Sequence, residues 1–174
     1  MPNNWGTAIV GIVVMGVTGA GKSTVGALLS EKLSRPLIEG DSLHPPANIE
    51  KMSHGTPLDD NDRLPWLKAI AARIDAARQA GLPIIVTCSA LKRSYREILT
   101  DGHDDVGFVY LKGAKDLIAD RLAARKGHFM PPHLLDSQMA ALQEPEADEP
   151  SMVIAIDATP DDIVRTIVER FKTR

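Results

Sequence analysis

Residues Gly16 to Ser23 read G-x-x-x-x-G-K-S, directly behind the apolar run "AIVGIVVM". A nucleoside triphosphate carries several negative charges, and they must be met without bulky side chains in the way. Glycines at 16, 19 and 21 let the backbone curl until successive N–H groups point inward. A helix starting near Lys22 adds the positive end of its dipole. Gly16, Val17, Thr18, Gly19, Ala20, Gly21, Lys22, Ser23 and Thr24 therefore form the nucleotide-binding set. Lys22 is expected to bridge the β- and γ-phosphates, and Ser23 to ligate Mg2+ through its hydroxyl. A glycine-rich turn without ligand is the plain alternative. The strand pattern before the octet and the helix pattern after it favour nucleotide binding.

A phosphate cradle serves switches and motors as well as kinases, so the acceptor side decides. The second strand pattern runs out into "EGDSLHP", residues 39–45. Glu39 and Asp41 are two apart and share one side if the chain stays extended through Gly40. One would hold Mg2+ through water, and the other would take a proton from an incoming hydroxyl. The same pair is equally at home in a solvated turn. Beyond it, "HPPANIEKMSHGTPLDDNDRLPWL" supplies His44, Asn48, Lys51, His54 and Arg63, polar groups suited to a hydroxylated anion. For any one of them alone, a solvated place on the surface is the better reading. Trp66 reads as core. One of the residues from Asp59 to Asp62 should cap the long helix that follows.

The third strand ends in "CSALKRSYR", residues 88–96. If a helix begins at Lys92, then Lys92 and Arg96 share a face one turn apart, beside Ser89. Such a cationic pair suits a carboxylate. Ordinary solvated helix charge is the alternative. Cys88 reads as a packed thiol with no base beside it.

Arg121 and Arg125 lie i, i+4 on one helical face. Lys126-Gly127-His128 breaks that helix, and Pro131-Pro132 starts another. Two helices across a glycine break suggest a lid over about residues 121–142. A lid would exclude water and bring arginine charge to the transferring phosphoryl group. A surface helical hairpin is the alternative. "QEPEADEP", residues 143–150, reads as a solvated loop. Asp157-Ala158-Thr159 is a weak candidate for backbone contact with the adenine.

The elements that must position these groups alternate. Strands are expected at Ala8–Val14, Pro36–Glu39, Ile84–Ser89, Gly107–Leu111 and Met152–Asp157. Their continuous Ile/Val/Leu character fits a parallel sheet buried on both faces. Helices are expected at Lys22–Leu33, Asn61–Ala80, Lys92–Thr100, Ala114–Arg125, Pro131–Leu142 and Asp161–Phe171, the last opened by Thr159-Pro160. This is a three-layer α/β P-loop fold with ligands at the carboxyl ends of its strands. The 174 residues suit a single domain, with the acceptor region at about residues 41–66.

Net charge is −3, with no basic stripe, and aromatic residues make up 4%. Nucleic acid is therefore not an expected partner. The one cysteine excludes an internal disulfide and fits the cytoplasm. The apolar run lacks a basic flank before Lys22 and is too short to span a bilayer, so neither a signal peptide nor a membrane partner is expected. Residues 1–6 read as a loose leader.

Taken together, "GVTGAGKST", "GDSLHPPANIEKMSHGTPLDDNDRLPWL", "CSALKRSYR", "FVYLKG" and "RKGHFMPPHLLDSQMAALQEP" resemble the gluconate kinases (gluconokinases) of the short P-loop type. The first motif is widely shared; the second, third and fifth are specific and stand in order. The resemblance implies transfer from ATP, with Mg2+, to the 6-hydroxyl of D-gluconate. It implies a nucleoside-monophosphate-kinase-like fold with strand order 2-3-1-4-5, and commonly a homodimer. By analogy with shikimate kinases, it places Asp41 near the acceptor hydroxyl and Glu39 nearer the metal. The catalytic set is then Lys22, Asp41, Arg121 and Arg125, with Arg121 also on the nucleotide. The substrate set is Asp41, His44, Lys51, Arg63, Ser89, Lys92, Arg96 and His128, and the metal set is Ser23 and Glu39. Rival readings are a kinase for another hydroxy acid such as shikimate, a nucleotide or nucleoside kinase, and a nucleotide-dependent regulator.

Overall fold

The computed structural model describes Trp5, residues 8–125 and residues 132–173. Five strands, β1 (Gly11–Met15), β2 (Leu37–Glu39), β3 (Ile84–Thr87), β4 (Val106–Lys112) and β5 (Ser151–Ala155), form one sheet in the order β2-β3-β1-β4-β5. Every neighbouring pair is parallel, as the uninterrupted apolar runs require. The central strands are buried along nearly their whole length.

Helix α1 (Lys22–Leu33) follows β1 and packs with α7 (Pro160–Lys172). Helix α3 (Asp60–Ala80) packs with α4 (Arg93–Thr100). Between β2 and α3 lie a 3-10 turn over Gly40–Leu43 and α2 (Pro46–Ser53). Helix α5 (Lys115–Ala124) runs into the start of the expected lid range, and α6 (Pro132–Ala141) lies within it. The Lys126-Gly127-His128 break and Pro131 lie outside the described residues. Among the described residues, no helix is long and apolar enough to cross a membrane.

Local chemistry sets the helix starts. Asp59 caps α3: its carboxylate accepts from the Asp62 N–H at 2.7 Å, and the Asp62 carboxylate accepts from the Asp59 N–H at 3.0 Å. Thr159 does the same for α7 through the Asp162 N–H, at 3.2 Å. Gly21, at φ 96°, opens α1 with no side-chain cap, which leaves that helix end bare for an anion.

Three expectations are corrected. Strand β2 stops at Glu39, so the chain does not run extended to Asp41. Helix α4 begins at Arg93, with Lys92 as its N-cap. Trp5 is no part of a loose leader. Its indole is fully buried in the central core and packs across Gly107 of β4. Burying so large an apolar surface is what fastens the start of the chain. Trp5→Ala is expected to cost about 3–5 kcal/mol, the usual penalty for emptying a large aromatic site. Urea unfolding would measure it, and a loss near zero would show the indole to be dispensable.

Candidate functional site

The site forms where β1, β2 and β3 end. Gly19 and Gly21 carry φ of 81° and 96°, so the loop adopts the left-handed turns that aim its amides inward. The Lys22 ammonium donates to the carbonyls of Gly16 and Val17, each at 3.0 Å. It is folded back on its own loop, where burial holds its pKa below the usual lysine value despite the nearby charges of Asp41 and Glu39. A phosphate group would give it a stronger partner.

Glu39 and Asp41 part company at Gly40. The Thr87 hydroxyl accepts from the Gly40 N–H at 3.2 Å and donates to Glu39 Oε2 at 2.5 Å. The Ser23 hydroxyl donates to the same Oε2 at 3.1 Å. A β-carbon on Gly40 would lie 2.0 Å from the Thr87 carbonyl oxygen, so no other residue fits there. Ser23 and Glu39 thus supply two hard oxygen donors side by side. Among the described residues, no group of three or more His, Cys, Asp or Glu could hold a metal. This donor set fits an Mg2+ ion that keeps water and phosphate oxygens as its other ligands.

Asp41 faces a cavity of about 360 Å3 together with Thr18 and Lys22 of the loop, and with His44, Arg63 and Ser89. Trp66 forms part of its floor. The indole is 2% exposed, and its Nε1–H donates to the Gly40 carbonyl at 2.8 Å. His44 stacks on that indole with ring centroids 4.1 Å apart. The Asn48 amide nitrogen donates to the Asp62 carbonyl at 2.8 Å and lies 3.2 Å from His44 Nδ1. An amide nitrogen only donates, so Nδ1 is the acceptor and Nε2 carries the ring proton. Nε2 lies 4.0 Å from an Asp41 carboxylate oxygen. Burial lowers the His44 pKa, so the ring is neutral near pH 7.

The other expected cations separate sharply. Arg63 lines the cavity, and its guanidinium donates to the Tyr95 hydroxyl at 3.1 Å while lying over the Tyr95 ring. Tyr95 in turn donates to Asp60. Lys51 is paired with Asp62 at 2.6 Å, and Lys92 with Asp60 at 2.9 Å. Two carboxylates in the first turn of α3 have therefore taken up both lysines, and neither lysine lines the cavity.

Arg96 departs from expectation. It is 1% exposed and makes a two-pronged bond to Glu149, with distances of 2.6 and 3.0 Å. It also donates to the Ala90 carbonyl at 2.9 Å. Burial is the strongest single influence and works against the charge on Glu149, but the bond from Arg96, the bond from the Glu146 N–H and the charges of Arg96 and Arg93 together hold the carboxyl below its usual pKa. Arg96 thus clamps the acidic segment 143–150 instead of facing a ligand. That segment is no free loop, because Arg93 also grips Asp148 and Glu146. The cause is competition: an internal carboxylate fixed by the fold outbids a transient one.

Arg121 donates to the Ile156 carbonyl at 2.6 Å, beyond the end of β5, and so is not seated on the phosphate loop. Arg125 caps α5 and lies close enough for its charge to depress the Lys22 pKa. His128 lies outside the described residues. Cys88 is buried, and burial pushes its thiol up to about 12, so it is no nucleophile. The sequence reading missed Tyr95, which aims Arg63, and Gln138 of α6, whose side-chain oxygen accepts from the Thr18 N–H at 2.7 Å. Both stand inside motifs that carry the family resemblance, but no local rule gives either a role, because each acts on a partner 32 or 120 residues away.

Removing one partner of a buried ion pair strands the other. Arg96→Ala is expected to cost about 3–5 kcal/mol in urea unfolding. Arg93→Ala, on the surface of the same clamp, should cost only a small fraction of that. Equal losses would show that burial is not what distinguishes the two.

Residues 12–145 match the AAA domain family. Over 161 residues the chain is 44% identical to the thermoresistant gluconokinase of Escherichia coli strain K12, covering 92% of each protein. It is 45% identical to the gluconokinase of Gluconobacter oxydans strain 621H, covering 92% of this chain and 90% of that one. The crystal structure of a gluconokinase from Sinorhizobium meliloti 1021 superposes with a TM-score of 0.86 at 44% identity, covering 94% of this chain and 91% of the other. Resemblance at that level along nearly the whole chain, on a sheet ordered 2-3-1-4-5 around a phosphate loop, places this protein in the gluconokinase family of P-loop kinases.

Proposed function

We propose that the protein transfers the γ-phosphoryl group of ATP to the 6-hydroxyl of D-gluconate, giving 6-phospho-D-gluconate and ADP. The observation that carries this reading is the shared cavity, in which Lys22, Asp41 and Arg63 face the same space at the mouth of the phosphate loop.

The triphosphate lies along Gly16–Thr24, met by loop amides and the bare end of α1. Lys22 leaves its loop carbonyls for the β- and γ-phosphates. Ser23 and Glu39 would hold Mg2+, which would supply positive charge against the charge developing in transfer. Arg63, aimed by Tyr95 and Asp60, takes the carboxylate of gluconate. His44 and Ser89 lie beside the hydroxylated chain. The 6-hydroxyl gives its proton to Asp41 as its oxygen bonds to the γ-phosphorus, and the bond from that phosphorus to the β-phosphate oxygen breaks. His44 Nε2–H steadies the Asp41 carboxylate. Arg125 bears on the phosphates, and Arg121 holds the nucleotide side through the end of β5. Catalysis is mostly positioning and charge stabilisation. Lys51 and Lys92 act at one remove, by fixing the start of α3. The single buried thiol suits the cytoplasm, and the family resemblance suggests a homodimer, which sedimentation would read directly.

Coupled release of ADP against gluconate, other aldonates, shikimate and AMP tests the substrate. Turnover is expected with gluconate and at least about a hundredfold less with AMP, since among the described residues the Trp66 indole on the cavity floor is already covered by the His44 ring. Turnover with shikimate equal to that with gluconate would overturn the choice of acceptor. Asp41→Asn is expected to lower kcat by about 10²–10⁴, and Arg63→Met to raise the KM for gluconate by about 10–100-fold with a smaller effect on kcat. A kcat loss under about tenfold for Asp41→Asn would leave Asp41 a positioning role only.

A further inference from the structure

Helix α6 reaches across the cavity and is held on both sides. Its His133 ring bonds the Gly55 carbonyl in the turn after α2, and its Gln138 bonds the phosphate loop at Thr18. Lys115 of α5 pairs with Asp136 on the same helix. Leu134, Ser137 and Gln138 line the same cavity as Asp41.

The Gln138 contact has a definite polarity. The Thr18 N–H is a donor, so the amide oxygen of Gln138 must face it, at 2.7 Å. The amide nitrogen is then turned the other way, along a cavity wall shared with Thr18 and Lys22. Among the described residues, that nitrogen has no hydrogen-bond partner, and it is not among the buried polar atoms left unpaired. An accessible two-proton donor is thus pinned by the phosphate loop, in the cavity that Lys22 and Asp41 also line.

We infer that Gln138 is a catalytic residue whose side-chain nitrogen donates a hydrogen bond to the γ-phosphoryl group during transfer. The loop amide fixes one end of the carboxamide, so the other end is aimed before substrate arrives and costs no reorganisation in the reaction. Negative charge spread over the equatorial oxygens meets a neutral donor there, next to the cations of Lys22 and Arg125. The inference rests on the kinase reading, and turnover by the unaltered protein in the same assay tests that reading separately.

Gln138→Glu discriminates between this role and a simple tether. A carboxylate still accepts from the Thr18 N–H but offers charge where a donor stood. The expected result is a fall of about 10²-fold in kcat, the usual loss for one oriented donor. The KM for gluconate should stay within about threefold and the affinity for ADP, which lacks the γ-phosphoryl group, within about twofold. Gln138→Leu, which removes both the tether and the donor, should lose at least as much kcat, and it serves equally if the glutamate variant is unstable. Normal kcat in Gln138→Glu with a large loss in Gln138→Leu would make the residue a tether and overturn the inference. So would normal kcat in both, or a kcat loss matched by an equal loss of ADP affinity.

Discussion

The peptide at Gly40 is gripped from both ends, and the chemistry of the site follows from that grip. Its N–H is held by the Thr87 hydroxyl and its carbonyl by the Trp66 indole. Backbone packs on backbone so closely that a single methyl group would collide with Thr87. Because the chain must turn there, neighbouring carboxylates are sent to different tasks. Glu39 is drawn under the loop to Ser23 and Thr87, while Asp41 is presented to the cavity. An extended strand would have left the two side by side, repelling each other and competing for one position.

Charge is sorted around the cavity by the same logic of committed partners. The first turn of α3 favours carboxylates because the helix dipole is positive there. Those carboxylates, Asp60 and Asp62, then capture Lys92 and Lys51. Arg63 escapes capture because Tyr95 stands between it and Asp60, passing a hydrogen bond along while leaving the guanidinium on the cavity wall. Arg96 is lost to the interior, where its planar fork meets both oxygens of Glu149. Of the basic residues around the site, Lys22 and Arg63 remain on the cavity wall.

Much of this was legible in the residues alone. The phosphate loop, the five strands and the capped start of α3 rest on local rules: glycine where the backbone must turn, apolar runs where a strand is covered on both faces, an aspartate pair at a helix end. Glu39, Asp41, His44 and Ser89 could be picked out because they stand at or shortly past strand ends, where such folds bind ligands, whereas Arg63, in the first turn of α3, stood out only as one polar group among several in its stretch. Lys51, Lys92 and Arg96 were misjudged because their partners lie elsewhere in the chain, 53 residues away for Arg96. Trp5 was undervalued because no local pattern shows which large side chain will plug a core.

The sequence by itself determined the kind of chemistry, since a glycine octet with lysine and serine binds phosphate wherever it sits between a strand and a helix, and it determined the family through the order of its specific motifs. Only the tertiary structure decided which charges are free to act. Whether an arginine serves a ligand or a neighbour depends on which carboxylate lies within about 3 Å of it once the chain has folded, and that distance is set by packing, not by spacing along the chain.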